Sequence, residues 1–134
     1  MRKIRRTRPD FPCFMLREID YRGVERVVRI NALDTPYWRE DIRCAVAGGC
    51  DAIRIPKTES ARDVKLVENA LDFAEREFTR PEKSVLIMAA IESARGVMKA
   101  LDICELGEAF WNRPVRGRLY QGICRPISRE PESN

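Results

Sequence analysis

The chain contains no histidine among its 134 residues. That removes every Ser-His or Cys-His nucleophile pair and the commonest general base. What remains for chemistry is carboxylates, guanidinium and ammonium groups, together with a hard cation held by oxygen ligands. Four residues stand where such groups would be useful. Glu92 ends an uncharged apolar run, Val85 to Ile91. Arg29 and Asn31 close a β-branched run, and Lys57 follows Ile53-Arg54-Ile55-Pro56. Each sits where a strand would give way to a loop, which is where βα-repeat enzymes keep their working residues. Each also has a plainer reading. Arg29 and Lys57 could be solvated surface charges, Asn31 a loop amide satisfying backbone groups, and Glu92 a carboxylate placed at a helix N-terminus. The cysteines add no site: Cys13, Cys44, Cys50, Cys104 and Cys124 include no C-x-x-C pair. An odd number without a framework reads as reduced thiols in a cytoplasmic protein.

These groups have to be positioned by regular elements, and the patterning supplies them. Phe11 to Leu16 reads as the tail of a helix, closed by the turn Asp20-Tyr21-Arg22-Gly23. Val24 to Asn31 is a β-branched run and reads as a strand. Asp34-Thr35-Pro36 predicts a helix start, with Asp or Thr as cap and Pro at the first helical position. The helix that follows, Trp38 to Ala47, should stop at Gly48-Gly49. Asp51 to Pro56 is a second short strand. Ser60 and Asp63 form a capping-box pattern, and Val64, Val67, Leu71, Ala74 and Phe78 then recur on one face of a helix. Seven uncharged residues from Val85 to Ile91 predict a strand buried on both faces. Ser93 caps a last helix, to about Glu105, that is expected to bury Val97, Leu101 and Cys104. Three consecutive βα units imply an α/β fold with a parallel sheet, whose strand ends share one edge.

Composition narrows the function classes. Hydrophobic content of 44% and charged content of 34% describe a globular chain, and the net charge of +4 is too mild to imply nucleic acid. No apolar run approaches the roughly 18 residues that span a membrane. The N-terminal basic residues are not followed by an apolar segment, so no secretory signal is expected. Residues 1–12 read as a basic arm. Its first nine residues hold five basic groups and no acid, and they lack the interleaved aromatics of a nucleic-acid surface.

Three segments together resemble the citrate lyase beta-subunit family, within the TIM-barrel group of acyl-thioester carbon–carbon lyases. They are Val27-Val28-Arg29-Ile30-Asn31-Ala32-Leu33-Asp34, Gly48-Gly49-Cys50-Asp51-Ala52-Ile53-Arg54-Ile55-Pro56-Lys57-Thr58 and Ala89-Ala90-Ile91-Glu92-Ser93-Ala94. The resemblance covers residues 13 to 105, and Asn31-Ala32-Leu33-Asp34 favours citrate lyase over the malyl-CoA relatives. It implies three βα units of an incomplete (β/α)8 TIM barrel and a Mg2+-assisted cleavage of citryl thioester to oxaloacetate and acetyl thioester. It implies Arg29 and Glu92 as catalytic and substrate-binding residues, and Glu92 as the metal ligand. Asn31 and Lys57 stand beside them as substrate-binding candidates. The partners implied are acyl-carrier and alpha subunits in an oligomer, with no nucleic acid and no membrane. Two alternatives stay open: a malyl-CoA-type lyase of the same group, and a non-catalytic interaction fragment.

The sequence also departs from that family. Two upstream βα units, with an Asp-Leu-Glu-Asp strand end, have no counterpart. A second metal-ligating aspartate is expected after Glu92, yet no Asp or Glu occurs from Ala109 to Arg129. Residues 106–134 read as an irregular tail, as a shifted reading frame after residue 105 would produce. The expectation is a chain truncated at both ends, with little or no lyase activity of its own.

Overall fold

A computed structural model describes residues 10–105. The first nine residues and the tail from residue 106 lie outside it, and so do the expectations made for them. Helix α1 (Asp10–Glu18) precedes three strands, β1 (Val27–Arg29), β2 (Ala52–Ile55) and β3 (Leu86–Ala89). Helix α2 (Trp38–Gly48) joins the first two strands and α3 (Ala61–Glu77) the last two, while α4 (Ala94–Met98) and α5 (Ala100–Glu105) follow β3. The strands are parallel and in sequence order, with β2 central. This is the expected α/β arrangement, three parallel strands alternating with helices in an incomplete TIM-barrel-like sheet.

Register decides what each strand offers to either face. Val28, Ile53 and Ile87 pair across the sheet, and so do Arg29, Arg54 and Met88. Successive residues of a strand point to opposite faces. Ile30, Ile53 and Ile55 therefore turn into a core with Ile42, Val46, Val64, Val67 and Leu71 of the helices. Arg29 and Arg54 belong to the other face and are exposed.

The local signals that were physically specific hold. Ser60 accepts from Asp63 N while Asp63 accepts from Ser60 N, a closed capping box. Helix α2 ends at Gly49, whose φ of 87° lies in the left-handed region that suits glycine. Its start differs from expectation. The cap position falls on Tyr37, with no side-chain capping hydrogen bond, because Thr35 closes a turn ahead of the helix, its N and Oγ1 both donating to Ala32 O, at 3.0 and 2.6 Å.

Three expectations are corrected. β3 is half-covered and not sealed on both faces: Ile87 and Met88 are part-exposed and Ala89 is exposed, because β3 is an edge strand among the described residues. The helix after Ser93 breaks at Lys99, and Val97 and Leu101 are 65% and 70% exposed. Gly96 and Ile103 face inward instead; the side chain of Cys104 lies outside the described set. Cys13 and Cys44 are not free thiols. Packing of α1 on α2 brings their Cα atoms to 5.3 Å and a disulfide joins them, a pairing that a separation of 31 residues does not advertise. Cys50 does remain a thiol, and burial pushes it up to about 12, so it is protonated and inert.

The loop between α3 and β3 is tied by one carboxylate. Glu75 is fully buried, and it accepts from Lys83 N at 2.7 Å and Val85 N at 2.8 Å. Arg80 reinforces the loop by donating to Cys50 O at 2.8 Å. Glu75→Ala would strand two backbone donors, and is expected to lower unfolding free energy by roughly 2–4 kcal/mol in urea titration. Iodoacetamide at about pH 8 should label Cys50 only as the chain unfolds, read by mass spectrometry against urea.

Candidate active site at the carboxyl edge of the sheet

The three strands deliver their C-terminal ends to one edge, and the loops there are bound to each other by backbone hydrogen bonds. Ile30 N donates to Arg54 O at 3.2 Å, and Ala90 N donates to Ile55 O at 2.9 Å. Thr58 N donates to Ala90 O at 2.8 Å, which fastens the β2–α3 loop to the end of β3. The loop turns at Lys57, whose φ is 49°.

Glu92 lies between two such anchors. On one side Ala90 is held by Ile55 and Thr58. On the other side Ser93 caps α4 by accepting from Gly96 N at 3.1 Å, while its hydroxyl donates to Glu59 Oε1 at 2.7 Å. A serine that donates and accepts at once has its rotamer fixed by both partners. Arg95 stands 3.8 Å from the other oxygen of Glu59. The Glu92 side chain itself is exposed and makes no hydrogen bond or ion pair among the described residues. Its backbone is clamped and its carboxylate is left open.

The other expected residues divide. Arg29 and Lys57 are exposed with no polar partner among the described residues, which suits groups kept for a ligand. Asn31 is already committed: its backbone N and its Nδ2 both donate to Asp41 Oδ2, at 2.8 and 2.7 Å. Those bonds tie the β1–α2 loop to the first turn of α2 and leave the Asn31 side chain its Oδ1 and one Nδ2 hydrogen. No group of three or more metal-ligating side chains occurs among the described residues.

Three participants were not singled out from the sequence. Glu59 supports Ser93, Asp41 holds Asn31, and Arg54 pairs in register with Arg29. Arg54 carried a readable signal, a lone charge between Ile53 and Ile55 in a short strand. Glu59 and Asp41 carried none, since each meets its partner only through loop packing.

A parallel βα sheet with polar groups gathered at its carboxyl edge is the architecture of barrel enzymes. Residues 9–111 match the family described as HpcH/HpaI aldolase/citrate lyase, and the chain belongs to that family. It is 45% identical over 93 residues to citrate lyase subunit beta of Leuconostoc mesenteroides subsp. cremoris, covering 69% of this chain and 31% of that protein. It is 39% identical over 88 residues to citrate lyase subunit beta of Escherichia coli K12, covering 66% and 29%. L-malyl-CoA/beta-methylmalyl-CoA lyase of Rhodobacter capsulatus is 35% identical over 88 residues, covering 63% and 27%. The chain thus spans about three tenths of the length of the citrate lyase relatives it matches.

The anchoring of α4 is directly testable. A Cβ built on Gly96 would sit 2.6 Å from Thr58 O and 3.0 Å from Ile91 Cγ2. The backbone oxygen cannot swing away, so Gly96→Ala should push α4 off the β2–α3 loop. The expected loss is about 1–3 kcal/mol in thermal unfolding, with faster amide exchange at Thr58.

Proposed function

We propose that this edge is the substrate- and metal-facing part of a citryl-thioester lyase site. The observation that carries the reading is Glu92: a carboxylate with no internal partner, on a backbone segment held from both sides. A structural carboxylate would be expected to look like Glu75, buried and saturated with donors. The names borne by the curated relatives, citrate lyase subunit beta, support the same choice of substrate.

In this reading the substrate is a citryl thioester carried on an acyl-carrier subunit, and cleavage yields oxaloacetate and acetyl thioester. Arg29 offers a planar fork to a carboxylate of the oxaloacetate portion. Lys57 contributes positive charge to the same edge, and Asn31 can offer its Oδ1 or the remaining hydrogen of its Nδ2. Glu92 is a hard oxygen donor of the kind Mg2+ takes, and substrate oxygens and water would fill the other positions. When bound, the cation polarises the oxygen on which negative charge develops during cleavage. The chain's own work is to orient the carboxylates and hold the metal side. It would act beside acyl-carrier and alpha subunits, as an oligomer in the cytoplasm. A malyl-CoA-type substrate is the second reading, supported by the likeness to the Rhodobacter capsulatus lyase.

Titration calorimetry of the purified chain tests these roles, with Mg2+ added in the presence of saturating malate, a stable stand-in for oxaloacetate. Glu92→Gln should weaken Mg2+ binding by at least about tenfold and Arg29→Met should weaken malate binding by a similar factor. Affinities unchanged by both substitutions would rule the assignment out. With one carboxylate assigned to the metal, the isolated chain is expected to release little oxaloacetate from citryl thioester.

A further inference from the structure

The row formed by Arg29 and Arg54 is not accounted for by folding. These residues are paired in register on adjacent parallel strands, where neighbouring backbones run about 4.8 Å apart. Two like charges placed side by side on a sheet oppose its formation. Met88 completes the row, so no acid intervenes. Neither guanidinium makes a hydrogen bond or ion pair among the described residues, and both are exposed. Several other arginines are used differently. Arg17 donates to Ala47 O, Arg26 pairs with Asp51, Arg43 with Glu40 and Glu77, and Arg80 donates to Cys50 O. Those arginines find acceptors; Arg22, Arg39 and Arg62 also lack an acceptor among the described residues, but Arg29 and Arg54 stand side by side in one strand row with their donors open.

We propose that Arg54 is a specificity-determining residue, which together with Arg29 selects a ligand bearing two carboxylates over one bearing a single carboxylate. The inference rests on the lyase reading given above and deepens it. Oxaloacetate carries a carboxylate at each end of a four-carbon chain, while the glyoxylate released from a malyl thioester carries one. Arg29 takes the carboxylate next to the reacting carbon in either case. Arg54, one strand further along the same face, takes the second carboxylate, which only the citryl-type substrate presents. Each guanidinium is a fixed fork that matches a carboxylate with two hydrogen bonds. The ligand's two negative charges also relieve the repulsion between the two arginines, so the second contact is worth more than a solvent-exposed ion pair.

The test compares malate with lactate, which share the 2-hydroxy carboxylate and differ by one carboxylate, titrated in Mg2+ into the full chain. Wild type should prefer malate by about tenfold. Arg54→Met should abolish that preference by weakening malate alone, with lactate affinity and melting temperature unchanged or the latter raised. Arg54→Lys should restore part of the preference, and it serves as the second variant if Arg54→Met does not fold. Arg29→Met should weaken both ligands. If Arg29→Met weakens both while Arg54→Met keeps the malate preference, the role of Arg54 is overturned and the lyase reading stands. If wild type binds neither ligand, or Arg29→Met changes neither affinity, the lyase reading fails and the role of Arg54 falls with it.

Discussion

The register of β2 between β1 and β3 is the constraint on which the rest of this structure depends. Parallel pairing sets Val28, Ile53 and Ile87 level with one another and Arg29 level with Arg54. One face of the sheet becomes a hydrophobic surface for α2 and α3, and the other carries the Arg29–Arg54 row beside apolar Ala52, Leu86 and Met88. The same ladder continues past the strand ends through Ile30, Ala90 and Thr58. A slip of one residue would exchange the two faces. It would bury Arg54 among isoleucines and expose Ile53, at a cost that an isolated sheet of this size could not bear. Core and candidate site are therefore specified by one event.

The treatment of charge separates scaffold from site. Glu75 and Arg80 saturate backbone groups in the α3–β3 loop, and Arg26 with Asp51 clasps the opposite end of the strands. Burial pushes the Asp51 carboxyl upward, but hydrogen bonds from Arg26 outweigh it and leave the group below its ordinary value. That contribution is present above the ordinary aspartate range and fades as pH falls through the lowered value. At the carboxyl edge the pattern reverses. Glu59, Ser93 and Asp41 are committed to one another or to loops, while Glu92, Arg29, Arg54 and Lys57 are left with open hydrogen-bonding capacity. Supporting groups are consumed so that the presented groups can be both fixed in place and available.

Much of the fold was legible because its signals were local. The Ser60–Asp63 box, the stop at Gly49 and the Val64-to-Phe78 stripe depend on residues three or four positions apart, and each occurs as read. The start of α2 falls later than its cap signal indicates because Thr35 closes a turn onto Ala32 ahead of the helix. The exposed Val97 and Leu101 show a different limit. A helical period reports that a face is apolar, and only the neighbouring elements decide whether that face is covered.

The sequence by itself determined the order of elements, the parallel βα logic, the carboxylate and guanidinium groups at the strand ends and the family. Those follow from periodicity, capping chemistry and motifs read along the chain. Tertiary structure alone decided that Cys13 meets Cys44, that Glu59 holds Ser93, that Asn31 is already occupied by Asp41, and that Arg54 stands beside Arg29. The physical reason is the same in all four. Each joins groups between 10 and 34 residues apart, or in strands whose register is set by packing, and such contacts leave no period in the sequence.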